Sequence, residues 1–175
     1  MSTADTPKVK SLNDLLAIAY QIEIDAVDRY NLLADQMETH NNPELIKVFR
    51  DLAHAESLHG EEIRRLAGDF DVVEHAQRNA KFEKGESPEE ADLGSAHYLM
   101  TPWHALQLSL KGEERALAYF TSIMETAKDP KVKEMAAELV KEEAEHVNLV
   151  HRLLRRHPKP SESWAEDLDP PLSQE

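Results

Sequence analysis

Two tetrapeptides, Glu56-Ser57-Leu58-His59 and Glu143-Ala144-Glu145-His146, decide the fold of this chain of 175 residues. Each places a carboxylate and an imidazole three residues apart, so on a helix the two side chains share one face. Leu, Ala, Glu and Lys are abundant, and only 5 residues are Gly, which favours helices throughout. We therefore predict an all-α protein in which two helices each present a Glu-x-x-His pair.

Capping residues divide the chain into four long helices. Each predicted helix opens at a Ser, Asn, Thr or Asp, and in three of them Pro follows the cap directly. The predicted spans are about 11–38, 42–67, 101–126 and 129–156, with a short helical turn near 73–80. Residues 1–10 are predicted to be a disordered lead, and 157–175 form an acidic, Pro-rich tail outside the domain at 11–156.

The lengths of the connections predict the topology. Short turns join the first helix to the second and the third to the fourth, so each pair is an antiparallel hairpin. The connection at about 68–100 is long enough to cross a bundle of helices that are each roughly 37 Å long. We therefore expect a ferritin-like four-helix bundle, with two antiparallel hairpins joined by one long crossover.

Apolar residues recur every three or four positions along each helix and form one continuous seam. Four glutamates, one per helix, interrupt these seams at mid-length with apolar residues on both sides: Glu23, Glu56, Glu113 and Glu143. His59 and His146 follow on the same seams, which also include Leu66 near the end of the second helix. Such placement predicts that the six ionisable side chains face the interior together.

The two halves of the chain resemble each other. Asn42-Pro43 is echoed by Asp129-Pro130, and Glu56 and His59 recur as Glu143 and His146 at a constant offset of 87. Glu23 and Glu113 differ by 90. The chain therefore has the pattern of a duplicated helical hairpin.

Four ionised glutamates inside a bundle would repel one another and lose their hydration, which costs several kcal/mol per charge. Two divalent cations would bring four positive charges against the four negative ones, and neutral imidazole suits iron, manganese or zinc. One Glu from each of two helices and a Glu-x-x-His pair from each of the other two resemble the ligand pattern of di-iron carboxylate proteins. By that resemblance we predict Glu56 and Glu143 as bridging ligands, His59 and His146 on separate metals, and Glu23 and Glu113 as terminal ligands.

Two assignments stay open at this point. Glu114 competes with Glu113 as the third-helix ligand, although Glu113 continues the seam. Tyr30, seven residues after Glu23, is either a hydrogen-bond donor to a ligand or an ordinary core tyrosine.

Composition excludes several classes of protein. A formal net charge of −14 argues against a nucleic-acid partner. The chain has no Cys, so it cannot hold a disulfide, an iron–sulfur cluster or a four-cysteine iron site. We find no apolar stretch long enough for a membrane span and expect a soluble, cytoplasmic protein.

Around these residues the chain resembles the rubrerythrin branch of the ferritin-like di-iron proteins. The resemblance covers roughly 11–156 and rests on Glu23, Glu56, His59, Glu113, Glu143 and His146. It implies two iron ions and a reaction with hydrogen peroxide or dioxygen. Because the chain lacks the cysteines of a rubredoxin domain, electrons would come from a separate donor. We also expect a homodimer or a larger homo-oligomer.

The chain departs from typical rubrerythrins at Ala116, where they carry a further Glu three residues after the third-helix ligand. The remaining ligand set also resembles bacterioferritin, an iron-oxidising storage protein. Bacterioferritins have a haem-binding Met directly after the first Glu of Glu-x-x-His, and here that position is Ser57, so we expect no haem. A metal-stabilised interaction module is a third alternative.

Overall fold

The computed structural model of the protein describes residues 9–79 and 101–161. Five helices form there: α1 Leu12–Thr39, α2 Pro43–Ala67, α3 Val72–Asn79, α4 Pro102–Thr126 and α5 Pro130–Leu154. No strand occurs in the described ranges, and the all-α prediction is confirmed. Across the same ranges no helix combines the length and the hydrophobicity that crossing a membrane requires. Most of the predicted lead, crossover and tail lies outside the described residues.

Side-chain caps explain where the helices begin. The Ser11 hydroxyl accepts a hydrogen bond from the backbone N–H of Asp14 at 3.1 Å, and the Asn42 amide oxygen accepts one from Leu45 at the same distance. Each cap satisfies a backbone donor that has no partner within the first helical turn. At the other end of α2, Gly68 has a φ of 60°, a conformation that a residue without Cβ adopts at little cost.

The bundle has one apolar core at each end and the acidic residues between them. Core A contains, among its fully enclosed members, Leu15, Ile22, Ile63, Phe120 and Leu139. Core B contains Leu33, Phe49, Leu106 and Val150 among its members. These two cores fix the ends of the four helices and leave a polar layer at mid-depth.

The membership of the two cores gives the direction of each helix. α1 and α5 run from core A to core B, whereas α2 and α4 run from core B to core A. α1 with α2, and α4 with α5, are therefore antiparallel hairpins. Because α2 ends beside core A and α4 begins beside core B, the chain between them must cover the length of the bundle. This is the ferritin-like arrangement that the sequence predicted.

Two details differ from the sequence interpretation. The predicted short turn is the eight-residue helix α3, whose Val72 and Ala76 pack into core A against α1. Leu66, predicted to lie on the seam, has 50% of its surface exposed. Ala67 packs against core A instead. Ala67 follows the buried Ile63 by four residues and therefore lies on nearly the same face of the helix, whereas Leu66 follows it by three and is turned toward solvent.

We expect Phe49→Ala to lower the free energy of unfolding of the metal-free protein by about 3–5 kcal/mol. Phe49 is fully buried in core B, and its ring stacks on Tyr30 with centroids 6.0 Å apart. Leu58→Ala is the matched control on α2, because Leu58 is 55% exposed and should cost no more than about 0.5 kcal/mol. Urea denaturation followed by circular dichroism measures both, and equal costs would contradict this description of the core.

Candidate metal centre

Each long helix contributes one glutamate to the layer between the two cores. Glu23 of α1, Glu56 of α2, Glu113 of α4 and Glu143 of α5 are 3%, 2%, 1% and 6% exposed, respectively. Glu114 is exposed, so Glu113 is the glutamate of α4 that faces the interior. The four carboxylates therefore share one desolvated layer, as the mid-seam positions predict.

The two Glu-x-x-His histidines lie side by side against these carboxylates. Their imidazole rings stack with centroids 5.6 Å apart. His59 Nδ1 is 3.2 Å from Glu56 Oε2 and 3.8 Å from Glu23 Oε2. His146 Nδ1 is 3.1 Å from Glu56 Oε1 and 3.4 Å from Glu113 Oε2. Glu56 thus faces both imidazoles, with one oxygen toward each.

The ligand-type atoms form two overlapping groups. One group is Glu56, His59 and His146, and the other is Glu113, Glu143 and His146; within each, one atom per residue lies within 4.8 Å of the others. Glu23 joins the first group through its contact with His59. The six residues singled out in the sequence are therefore brought together, in two overlapping groups that could each hold a metal ion.

Three residues hold Glu113 from the side away from the histidines, and two of them, Arg29 and Ser109, were not predicted from the sequence. Arg29 Nη2 is 2.7 Å from Glu113 Oε1, and both side chains are 1% exposed. The hydroxyl of Tyr30 donates to the same oxygen, and the Ser109 hydroxyl donates to Tyr30 at 3.1 Å. The guanidinium also lies 4.6 Å from the centroid of the Tyr30 ring. Of this set, only Tyr30 was a candidate from its spacing.

Burial raises the pKa of two of the carboxylates, whereas contacts with the imidazoles lower the pKa of a third. Burial raises the pKa of Glu23 to about 8 against the opposing contact with His59. Burial, together with the charges of Glu23 and Glu113, also raises the pKa of Glu143 well above its usual value. For Glu56, burial acts in the same direction, but the contacts with His146 and His59 prevail and hold its pKa below the usual range. In the metal-free protein Glu56 is therefore ionised.

The imidazoles supply positive charge in the absence of a metal. Contacts with Glu23 and Glu56 raise the pKa of His59 to about 10. Burial acts to lower the pKa of His146, but its contacts with Glu113 and Glu56 raise it to about 11. Protons thus take the place of cations in this layer, and a metal would have to displace them.

The surroundings of one buried histidine nitrogen are suited to binding a metal ion. His146 Nδ1 is buried and faces carboxylate oxygens of Glu56 and Glu113, yet it makes no well-formed hydrogen bond to any described residue. A cation between this nitrogen and these oxygens would be bound by all three. The donor set of carboxylate oxygen and imidazole nitrogen suits divalent iron, manganese or zinc.

The chain is similar to known proteins in sequence and in fold. The rubrerythrin family model matches residues 14–99. A solved structure of an uncharacterized conserved protein from Magnetospirillum magnetotacticum MS-1 is similar, with 36% sequence identity and a TM-score of 0.70. The match covers 86% of this chain and 98% of that chain. The chain belongs to the rubrerythrin family. No curated protein matches it significantly.

The stretch matched by the rubrerythrin family covers only some of the residues of the centre. The matched residues 14–99 include Glu23, Glu56 and His59. The second Glu-x-x-His pair and its partner Glu113 follow beyond that stretch. Their place in the centre therefore rests on the duplicated sequence pattern and on the contacts described above.

The pKa shifts predict that the metal-free protein loses stability as pH rises. The folded-state pKa of His59 is about 10 against an ordinary 6.5, so its stabilisation is complete below pH 6.5 and is lost as pH approaches 10. Glu23 acts with the same sign between pH 4.5 and 8, because the folded protein keeps a proton that the unfolded chain has lost. We expect the melting temperature to fall by several degrees between pH 6.5 and 9.5.

Thermal melts in the presence of a chelator measure this fall. His59→Asn should reduce it, whereas His54→Asn, at an exposed position on the same helix, should leave it as in the wild type. A melting temperature that is constant or rises over this pH range would contradict the described electrostatics.

Proposed function

We propose that this rubrerythrin-family protein is a di-iron oxidoreductase that reduces hydrogen peroxide or dioxygen with electrons from a separate donor. The observation that carries the proposal is the buried layer of four glutamates and two histidines between the cores. Two iron ions would be held by Glu23, Glu56 and His59 on one side and by Glu113, Glu143 and His146 on the other. Bound ferrous iron would supply the electrons for reduction of the oxidant to water.

The side chains of the chain have distinct tasks in this proposal. Glu56 would bridge the two ions, because one of its oxygens lies 3.2 Å from His59 Nδ1 and the other lies 3.1 Å from His146 Nδ1. Glu143 would be the second bridge, as its position in the duplicated pattern predicts. Arg29 and Tyr30 hold the back of Glu113 and so fix the direction of its second oxygen.

The structure also indicates how a small oxidant could reach the polar layer and how water is kept out of it. Cores A and B close the layer at both ends. The His59 side chain is 28% exposed and that of His146 is 13% exposed, whereas the carboxylates behind them are nearly inaccessible. A small oxidant would therefore approach from the histidine side, and the acidic interior behind would stay dry.

One observation favours a second candidate, a ferroxidase or iron-storage function of bacterioferritin type without haem. Ala116 lies one turn after Glu113 and is fully buried, so no additional carboxylate approaches the centre from this position of α4. The proposed ligand set is then the six-residue set of bacterioferritin. In this alternative iron would be the substrate, and the protein would assemble into a large shell.

Rapid mixing separates the two candidates. We expect protein purified without oxygen to contain about two iron ions and, once reduced, to be oxidised much faster by peroxide than by dioxygen. Absorbance after mixing follows the oxidation, and elemental analysis gives the metal content. Indifference to both oxidants would overturn the oxidoreductase proposal. A very large assembly that keeps excess iron soluble would favour storage instead.

Substitution of the proposed bridge tests the ligand assignment. We expect Glu56→Ala to lose one or both metal ions, because both ion positions would depend on its carboxylate. Glu62→Ala, at an exposed position on the same helix, is the matched control and should retain the wild-type metal content. Ferrous or manganous ion should raise the melting temperature of the wild type and of the control more than that of Glu56→Ala. A Glu56→Ala protein with undiminished metal would contradict the assignment.

A further inference from the structure

The two oxygens of Glu113 have different surroundings. Oε1 is engaged by the guanidinium of Arg29 at 2.7 Å and by the hydroxyl of Tyr30. Oε2 points the other way and lies 3.4 Å from His146 Nδ1. A charged hydrogen bond of this kind in a desolvated site is strong and directional. Glu113 is therefore fixed, with one oxygen committed to Arg29 and the other turned toward the ion position.

The duplicated pattern provides an internal comparison. Glu23 and Glu113 are equivalent at an offset of 90, so Arg29 corresponds to Tyr119 and Tyr30 corresponds to Phe120. Tyr119 carries no positive charge at neutral pH, and Phe120 has no hydroxyl. In sequence, the positions equivalent to the guanidinium and the phenol that hold Glu113 are therefore occupied by a phenol and a phenyl ring.

Resting on the di-metal function proposed above, we infer that Arg29 is a positioning residue that makes the two ion positions unequal. It restricts Glu113 to one available oxygen and places a buried positive charge behind it. A divalent cation therefore binds the position of Glu113 and His146 more weakly than the position of Glu23 and His59.

Electrostatics gives the direction of this difference. The Arg29 side chain is 1% exposed, so its charge is poorly screened and acts on any cation bound to the same carboxylate. Within residues 9–79 and 101–161, Glu23 contacts no arginine or lysine, so no permanent positive charge acts on an ion bound to it there. The ion beside Glu23 therefore binds first, and the ion beside Glu113 binds second.

Titration of the metal-free protein with cobalt(II) chloride under argon tests the order of binding. Calorimetry gives the two affinities, and the visible absorption of cobalt reports each coordination environment. We expect two resolved steps for the wild type. His146→Asn should lose the weaker step and retain the tighter one, whereas His59→Asn should lose the tighter step. Two ions bound with one common affinity, or the reverse assignment, would overturn the inference.

Variants at position 29 test the cause. Arg29→Met removes the charge and should tighten the second step by about tenfold or more while leaving the first within a few-fold. Arg29→Lys keeps the charge and should retain two separated steps. Arg50→Met, at an exposed arginine paired with Asp35 on the bundle surface, is the matched control and should behave as the wild type.

The possible results separate this inference from the function on which it rests. Wild-type protein that binds fewer than two cobalt ions would overturn both. Two ions with the same separation of affinities in Arg29→Met as in the wild type would overturn the role of Arg29 alone. If Arg29→Met does not fold without metal, the histidine variants still decide the order of binding, and Arg29→Gln, which removes the charge but keeps a polar side chain, tests its dependence on the guanidinium by the same criterion.

Discussion

Burial of four carboxylates in one layer is the constraint on which the rest of this structure depends. Each ionised carboxylate taken from water costs several kcal/mol, and neighbouring negative charges add to that cost. Glu23, Glu56, Glu113 and Glu143 nevertheless lie almost fully inside, between two apolar cores. The fold is therefore possible only because positive charge or protons enter the layer with them.

The negative charge of the four carboxylates is compensated in three different ways. Glu113 has a permanent cation in Arg29, and Glu56 has the two imidazoles. Glu23 and Glu143 have raised pKa values, so each keeps its proton to a higher pH than an ordinary carboxyl group does. A metal ion can displace a proton from a carboxylate or an imidazole, but it cannot displace the guanidinium of Arg29 beside Glu113. The charges that compensate the buried carboxylates in the metal-free protein are therefore also the charges that govern metal binding.

Much of the fold could be predicted from local sequence signals. Cap residues and the prolines after them set the starts of the four long helices, and a period of three or four residues identified the buried glutamates. The same local signals were misleading at the end of α2. There the apolar period predicted that Leu66 would be buried, but Leu66 is exposed and its neighbour Ala67 packs against core A.

The role of Arg29 could not be found in this way, because it depends on a partner 84 residues away. Arg29 lies one position before Tyr30, beside the seam, where arginine ordinarily extends to solvent. Only the packing of α1 against α4 turns it inward toward Glu113. The role of Ser109 could not be predicted for the same reason, because it depends on a hydrogen bond to Tyr30 on another helix.

The near-repetition of the two hairpins has a consequence for how such a centre can diversify. In a homodimer of identical hairpins, any mutation beside one ion would be inherited beside the other as well. Fusion of both hairpins into one polypeptide removes that obligation, so arginine can stand at position 29 while tyrosine stands at the equivalent position 119. Covalent linkage thus gives each ion an environment that mutation can alter separately.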